Sequence, residues 1–193
     1  MTKIVVISNS LSSLYVFRSE LINELSNNLN NEVYLLSNNE LISKDLKIKI
    51  KSKHNIHFKK IYLNRTSTNI FKEIISILNI FYLLLLIRPK YLLSFTIKPV
   101  IYCGLLNFFF NYKQLSTITG LGRVFYPIWR TTKLKNTVIF LYKLSQIKTF
   151  KMFFQNSDDL KYFSELKINK QKNFVLVNGS GVDLDIFKYN NKL

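Results

Sequence analysis

The chain has 193 residues, of which 48% are hydrophobic, and a formal net charge of +17 at pH 7. This length and apolar content suit one domain with a proper core, while only 5 Gly and 3 Pro exclude a fibrous or low-complexity chain. The single cysteine, Cys103, excludes an internal disulfide, and its apolar neighbours favour a buried structural thiol over a nucleophile.

The beginning of the chain predicts a strand, a polar turn, a helix and a second strand. Residues 3–8 are a β-branched run typical of a strand buried on both faces. Ser12 or Ser13 is the expected N-cap of an amphipathic helix, and residues 33–36 are the next strand. The turn has no glycine and so lacks the dinucleotide fingerprint. Its free amides could still face an anion; Arg18, one turn further on, either faces that anion or is solvated.

Residues 39–60 are less regular. The patch 44–53 alternates lysine with isoleucine or leucine and is either an edge strand or a surface turn. His54 and His57 have a metal-like spacing, but no cluster of cysteines or carboxylates accompanies them, so no metal site is expected. Residues 56–63 predict a third strand.

An apolar helix is predicted over residues 74–87, after a cap at Thr68 or Asn69. A membrane-spanning helix needs about 20 apolar residues. This segment is shorter and is interrupted by Ser76 and Asn79, so we expect a buried core helix rather than a membrane-inserted one.

Two loops at predicted strand ends form the expected floor of a binding cleft. Residues 94–102 follow one short apolar strand, and residues 118–125 follow another. In an open parallel sheet, ligands bind at the carboxyl ends of the strands. Gly120 and Gly122 would let a ligand approach the main chain closely, although a tight turn alone also explains them.

The remaining segments complete an α/β pattern. They predict a helix over residues 137–150, a strand over 151–156, a helix capped by Ser157 or Asp158, and a last strand over 173–177. Strands that alternate with helices indicate a Rossmann-like, doubly wound and mainly parallel sheet of about seven strands.

The positive charge favours an anionic partner, although a lysine-rich coding bias would also produce it. The basic residues are scattered and lack the patterns of RNA-binding modules, so no nucleic-acid partner is expected. An anionic membrane surface attracts each nearby Lys or Arg by about 1 kcal/mol. No secretory signal is visible at the start. We therefore expect a cytoplasmic protein that is peripheral on the inner face of the cytoplasmic membrane.

Several motifs, in order, resemble the N-terminal domain of bacterial GT-B glycosyltransferases of the retaining family 4, in the branch that builds capsule, O-antigen and other lipid-linked oligosaccharides. The motifs are the Asn9-Ser10 turn with Tyr15-x-x-Arg18, then Phe95-Thr96-Ile97-Lys98-Pro99-x-x-Tyr102, then Ile118-Thr119-Gly120-Leu121-Gly122-x-x-Phe125, then Phe153-Phe154-Gln155-Asn156-x-Asp158-Asp159, and Gly179-Ser180-Gly181-Val182-Asp183-x-x-x-Phe187.

The resemblance implies that this half binds the acceptor, an undecaprenyl-diphosphate-linked saccharide, while a second domain holds most of the nucleotide-sugar donor. It implies no cofactor and no metal, and no residue is assigned as a general base. The implied acceptor-binding residues are Ser8, Asn9, Ser10, Tyr15, Arg18, Thr96, Lys98, Thr119, Gly120, Gly122 and Arg123. Those implied for the inter-domain cleft are Asn156, Gly179, Ser180, Gly181 and Asp183.

On this interpretation residues 1–183 are the N-terminal domain and residues 184–193 begin the connection to a donor-binding domain that the sequence lacks. The sequence is then a fragment, a truncated reading frame or half of a split enzyme that works with a separate C-terminal chain. We expect the chain to be inactive alone. The alternatives are a non-catalytic membrane-associated subunit with the same fold and, from the charge only, a nucleic-acid-binding domain.

Overall fold

The computed structural model describes residues 1–38, 53–64, 67, 69–125 and 132–181. Strands and helices alternate along these residues, with short 3₁₀ turns at Arg123–Phe125 and Gln171–Asn173. The elements are β1 (Thr2–Ser10), α1 (Leu11–Asn27), β2 (Asn31–Asn38), β3 (Ile56–Lys60), α2 (Ile70–Ile87), β4 (Tyr91–Phe95), α3 (Ile97–Leu106), β5 (Lys113–Ile118), α4 (Thr132–Ser145), β6 (Lys151–Phe154), α5 (Ser157–Glu165) and β7 (Phe174–Leu176).

The strands form one 7-stranded sheet in the order β3-β2-β1-β4-β5-β6-β7. Every neighbouring pair is parallel. This confirms the predicted α/β class and the doubly wound parallel sheet. The chain runs outward from β1 to β3 and then returns to β4 on the other side of β1. The strand order therefore reverses between β1 and β4.

The two faces of the sheet are covered by different helices. Parallel crossovers are right-handed, so the reversal at β1 places α1 on one face and the later helices on the other. The packing agrees, because Ile4 and Val6 of β1 lie in one hydrophobic cluster with Leu14 of α1. Val5 and Ile7 lie in a second cluster with residues of α2 to α5.

A groove runs along the α1 face. Beyond α1, none of the described helices covers the side chains of β4 to β7 on this face, and a cavity of about 800 Å³ lies there. Its apolar floor includes Leu93, Phe95, Leu115 and Phe153. We call this cavity the open groove.

On the opposite face, α3 and α4 pack very closely at Gly104. A Cβ built on Gly104 would overlap the backbone carbonyl of Ser145 in α4. Next to this contact, Gln146, the residue directly after α4, accepts a hydrogen bond from Ser116 of β5 (2.8 Å) and donates one to the Val100 carbonyl of α3 (3.2 Å). A small residue and a buried polar network thus fix the α3–α4 pair on the sheet.

The structure corrects two of the predicted helix caps. Ser10, not Ser12 or Ser13, caps α1: its backbone is extended and its hydroxyl accepts from the Ser13 amide at 3.2 Å. Asn156 caps α5 in place of Ser157 or Asp158, and accepts from the Asp159 amide at 2.7 Å. In both cases the capping side chain belongs to the last residue before the helix, as the N-cap geometry requires. The predicted cap at Asn69 is confirmed.

The prediction that the apolar segment 74–87 is a buried core helix is wrong. Helix α2 begins earlier than predicted, at Ile70, and only a narrow stripe of it is buried: Ser76, Ile80, Leu84 and Ile87. Beyond Lys72 and Glu73 in its first turn, the helix is almost entirely apolar, and by length and composition it could cross a membrane. Periodicity does not distinguish such a helix from a core helix, because both lack a polar face.

Cysteine and histidine are the other side chains that the sequence analysis considered. Cys103 is completely buried, as predicted, and burial raises the pKa of its thiol. Within the described ranges, no three His, Cys, Asp or Glu side chains come together as a metal site would require. The ring of His57 instead contacts Tyr34, with 4.8 Å between the ring centroids. Nearly all of the 44–53 patch lies outside the described residues.

Candidate functional site

The carboxyl ends of β1 and β4 lie side by side where the strand order reverses. In doubly wound folds this switch point opens a crevice, because the helices that follow the two strands leave on opposite faces of the sheet. The predicted site residues Ser8, Asn9 and Ser10 end β1, and Thr96 follows β4 directly.

The serines at the end of β1 bond to one another. The Ser8 and Ser13 hydroxyls are 2.7 Å apart, those of Ser10 and Ser12 are 2.6 Å apart, and the Ser13 hydroxyl donates to the Ser10 carbonyl at 2.9 Å. Ser8 is completely buried. These hydroxyls hold the β1–α1 turn in shape.

Two buried polar atoms at the switch point have no hydrogen-bond partner. They are Asn9 Oδ1 and Thr96 Oγ1; across the described part of the chain, Gln114 Oε1 is the other such side-chain atom. A buried polar group without a partner costs about 1–3 kcal/mol, so such atoms are rare. A ligand with hydrogen-bonding groups would satisfy both.

The backbone of Thr96 is strained. Its φ of 71° and ψ of 161° lie in a region that is essentially restricted to glycine. A β-branched residue is especially unfavourable there. Such strain persists only where the surrounding structure imposes it, and it concentrates at functional sites. Strain and an unpaired hydroxyl therefore coincide at Thr96.

The loop after β5 lies close to the start of α3. Gly120 and Gly122 have φ values of 134° and 72°, a backbone conformation that favours glycine. A Cβ on Gly122 would lie 2.7 Å from Cδ1 of Ile97, so the loop and α3 nearly touch. Thr119 is exposed beside them. Arg123 begins the following 3₁₀ turn, and its side chain is not among the described parts of the chain.

Lys98 is held by neighbouring groups. Its Nζ lies 2.6 Å from Oε1 of Glu73 and donates to the carbonyl oxygens of Asn64 and Ser67 at 2.7 Å each. Tyr102 donates to the other oxygen of Glu73. The ammonium has three hydrogens and three acceptors, so a phosphate contact at Lys98 would require one of these bonds to open.

This arrangement predicts a stability effect at Glu73, which joins α2 to α3. Glu73→Ala should lower the free energy of unfolding by about 2 kcal/mol, because it removes hydrogen bonds to a charged group and leaves a half-buried ammonium. Urea unfolding followed by circular dichroism measures this loss. Glu20→Ala on α1 is the matched control and should change stability by less than about 0.5 kcal/mol.

Arg18 is nearly buried, with 9% of its surface exposed, so the interpretation of this residue as solvated is wrong. Its guanidinium carbon lies 4.5 Å above the centre of the Phe95 ring. It donates to the Phe17 carbonyl at 2.9 Å and to the Ser180 hydroxyl. Gln155 also donates to Ser180, at 2.8 Å. These contacts lie at one end of the open groove.

We call Arg18, Phe95, Gln155 and Ser180 the Arg18 cluster. It joins two groups of predicted residues, because Arg18 was predicted to bind the acceptor and Ser180 to lie in the inter-domain cleft. Gly179 and Gly181 flank Ser180 with φ values of 75° and 69°. Between described residues the structure contains one ion pair, Lys98–Glu73, so Arg18 has no carboxylate partner there.

The electrostatics of Arg18 favour an anionic ligand. Burial lowers the pKa of the guanidinium, because water no longer solvates its charge. A buried charge without a counter-ion is unfavourable, and an anion that binds it forms strong charge-assisted hydrogen bonds. The cluster can thus hold a phosphate or carboxylate.

Sequence reasoning missed Phe95 and Gln155 as members of this cluster. Both lie in segments that carried the resemblance, but neither has the small or hydroxylated side chain that marked the other candidates. The period of two along β4 was the available signal, because Phe95 shares a sheet face with Leu93 and so with the groove.

The other predicted residues lie elsewhere. Tyr15 packs in the core cluster between α1 and the sheet, and burial raises the pKa of its hydroxyl. Asn156 is occupied in capping α5, where it also donates to Oδ2 of Asp159 at 2.9 Å. Asp183 lies outside the described residues.

Comparison with protein-family models gave no match, and comparison with curated protein sequences gave none either. Solved structures do match. A glycosyltransferase from Rickettsia africae ESF-5 has a TM-score of 0.65 at 19% identity, over 97% of this chain. HepE of Anabaena, solved with UDP and glucose, has a TM-score of 0.64 at 9% identity, over 99% of this chain.

A third similar structure is the UDP-GlcNAc 2-epimerase of Methanocaldococcus jannaschii, with a TM-score of 0.62 at 12% identity over 91% of this chain. The chain spans 45% of the Rickettsia protein, 48% of the Anabaena protein and 45% of the epimerase. Transferases and epimerases thus share this half-fold. The chain has a GT-B glycosyltransferase-like fold and corresponds in extent to about half of such proteins.

Proposed function

We propose that this chain is the acceptor-side half of a retaining glycosyltransferase of the family 4 kind. The full enzyme would transfer a sugar from a nucleotide-sugar donor to a lipid-linked saccharide in the synthesis of a bacterial surface polysaccharide such as capsule or O-antigen. The observation that carries the proposal is the Arg18 cluster at the edge of a switch-point crevice, where a buried cation has no carboxylate partner among the described residues.

The acceptor we propose is an undecaprenyl-diphosphate-linked saccharide. Arg18 and the Ser180 hydroxyl would bind its diphosphate through charge-assisted hydrogen bonds. Asn9 Oδ1 and Thr96 Oγ1 would bind hydroxyl groups of the saccharide, which would fill their open hydrogen-bonding positions. An acceptor with a lipid tail requires the protein to work at a membrane, so we place it peripherally on the inner face of the cytoplasmic membrane.

The donor would be bound mainly by a second domain, in the same chain or a separate one. A retaining transferase stabilises a departing nucleoside diphosphate by electrostatic interactions. Neither His54 nor His57, the two histidines of the chain, follows a strand at the switch point. Because the contacts to the nucleotide-sugar donor would lie mainly in the second domain, we expect no sugar transfer by these 193 residues alone. This also favours a second candidate, a non-catalytic subunit that holds the same lipid-linked substrate at the membrane.

A binding measurement tests the role of Arg18. Calorimetric titration with farnesyl diphosphate, a soluble isoprenoid diphosphate, should show binding that Arg18→Ala weakens roughly tenfold or more, since a charged hydrogen bond contributes about 1.5–3 kcal/mol. Arg18→Lys should recover part of the affinity. Lys113→Ala, which removes the same charge at the amino end of β5, away from the carboxyl ends of the strands, is the control. If Arg18→Ala and the unchanged protein bind farnesyl diphosphate with equal affinity, Arg18 is not part of the binding site.

An assay of transfer tests the wider proposal. The chain would be incubated with nucleotide sugars and undecaprenyl-diphosphate-linked saccharide, alone and together with a C-terminal donor-binding domain of a GT-B transferase. Transfer only in the mixture supports the acceptor-side half, and binding of the lipid without transfer in either reaction supports the non-catalytic subunit. Rapid transfer by the chain alone, or interconversion of UDP-GlcNAc epimers, contradicts both.

A further inference from the structure

The outward side of α2 is an extended apolar surface. Eight large hydrophobic side chains of this helix are exposed, and Phe71, Leu78 and Leu86 expose 74%, 61% and 60% of their surface. The eight are Ile70, Phe71, Ile74, Ile75, Leu78, Tyr82, Leu85 and Leu86. Contiguous apolar surface on this scale marks a site of contact with a membrane or another protein.

The apolar surface continues from α2 onto the turn that follows α3. The Phe81 ring contacts Phe109 edge-to-face, with 6.1 Å between ring centroids, and also contacts Phe110 at 5.2 Å. Phe109 is 77% exposed, and Phe108 beside it is also exposed. We call α2 together with Phe108 and Phe109 the apolar platform.

Basic side chains surround the apolar platform. Lys72 and Arg88 are exposed on α2 and at its end, and the Lys148 ammonium lies 5.3 Å from the Phe108 ring. The one carboxylate of α2, Glu73, is neutralised by Lys98. Residues 74–157 contain no Asp or Glu at all. The platform therefore combines apolar contact area with a positive border.

This combination fits an anionic bilayer better than a second copy of the chain. In a dimer, the basic borders of two platforms would face each other, and juxtaposed like charges oppose association. A bilayer instead offers an acyl interior to the apolar side chains and anionic headgroups to the lysines and arginines.

The buried stripe of α2 determines how the helix could meet the bilayer. Ile80, Leu84 and Ile87 pack in one cluster with Val5 and Ile7 of the central strand. A spanning position would require these contacts to break, because all sides of a spanning helix leave the domain. An interfacial position keeps them and immerses only the outward side.

We propose that the apolar platform is a membrane-docking surface that lies in the interfacial region of an anionic bilayer, with α2 parallel to the membrane plane. The inference does not depend on sugar transfer, since it rests on surface composition and packing. Docking there places the switch point near the lipid headgroups, because Glu73 at the start of α2 binds Lys98, two residues after Thr96.

Sedimentation with lipid vesicles tests the proposal on the full chain. Binding to vesicles of phosphatidylglycerol and phosphatidylcholine should exceed binding to phosphatidylcholine alone. Leu78→Glu should weaken binding roughly tenfold or more, since losing a buried leucine contact costs at least the 1.4 kcal/mol that this factor represents. Leu29→Glu is the matched control, because Leu29 is 67% exposed but lies in the α1–β2 turn.

A fluorescent label gives a second measurement that does not depend on a destabilising charge. Cys103 is completely buried, so an environment-sensitive thiol dye should react mainly with an introduced cysteine. The dye at L86C should shift to shorter wavelength when anionic vesicles are added, whereas the dye at L29C should not. Circular dichroism establishes that each variant is folded.

The outcomes separate this proposal from its rivals. Anionic-vesicle binding that Leu78→Glu weakens and Leu29→Glu does not, with the shift at L86C, supports it. Absence of vesicle binding by the folded chain overturns it, and so does equal loss in both glutamate variants. A stable dimer in light scattering that Leu78→Glu dissociates, with unchanged vesicle binding, would assign the platform to self-association instead.

Discussion

Gly104→Ala should destabilise the protein by about 3 kcal/mol, the upper part of the usual range for an overpacked core. The added methyl group would overlap the carbonyl of Ser145, a backbone atom that cannot move without displacing α4. Alanine favours a helix over glycine by about 1 kcal/mol, which offsets only part of the cost. Because domains of this size are stable by only about 5–15 kcal/mol, a loss of soluble expression is the accompanying expectation.

Chemical denaturation of purified Gly104→Ala, compared with the unchanged chain, measures this loss. Gly120→Ala is the control, since no described atom beyond its chain neighbours lies within 4 Å of a Cβ at that position, so the expected cost is that of a positive φ. A Gly104→Ala variant as stable as the unchanged protein would mean that α3 and α4 are not in contact at this point.

Thr96→Gly should have the opposite effect and stabilise the protein by about 2 kcal/mol. Glycine relieves backbone strain of about 1–3 kcal/mol and removes an unpaired buried hydroxyl that costs about as much. Against this, the greater freedom of glycine in the unfolded chain costs about 0.5–1 kcal/mol. The same change should weaken binding of a saccharide acceptor, because it removes the Thr96 hydroxyl that we propose as a hydrogen-bonding partner of the saccharide.

Thermal unfolding and acceptor titration, run on the same variants, separate these two effects. Thr96→Ser keeps the hydroxyl and should keep most of the acceptor affinity. A Thr96→Gly variant that is less stable than the unchanged chain would show that the Thr96 side chain contributes to the fold and is not reserved for a ligand.

The order and type of the helices and strands could be predicted because they depend on local patterns in the sequence. The β-branched run of β1, the apolar steps of α1 and the polar residues after each strand all lie within a few residues of one another. The caps were misplaced by a residue or more because Ser10, Ser12 and Ser13 are chemically alike. Only the backbone angle at Ser10 distinguishes them.

Burial was harder to predict than secondary structure. The segment 74–87 has the composition of a core helix, but its environment depends on what packs against it after folding. Right-handed crossovers place α2 on the outer layer of one face, with only its inner stripe on the sheet. Composition carries no information on the layer that a helix occupies. The sequence therefore predicted an apolar helix but could not predict how much of it is exposed.

The candidate site was predictable where it depends on strand ends and was missed where it depends on long-range contacts. Asn9 lies at the end of β1, Thr96 follows β4 directly and Gly122 lies in the loop after β5, so all three could be placed from the strand order. The contact between Arg18 and Ser180 joins residues 162 positions apart, and no local pattern encodes it. The ion pair between Lys98 and Glu73 could not be predicted for the same reason, since the two residues lie on different helices.

The open groove makes the stability of this chain depend on its surroundings. Any group that fills the groove in the folded state alone raises the free energy of unfolding by RT ln(1 + [L]/Kd). At a concentration one hundred times Kd, this increase is about 2.7 kcal/mol. A thermal midpoint that rises with the concentration of an added ligand would therefore measure its binding to the folded chain, without any assay of sugar transfer.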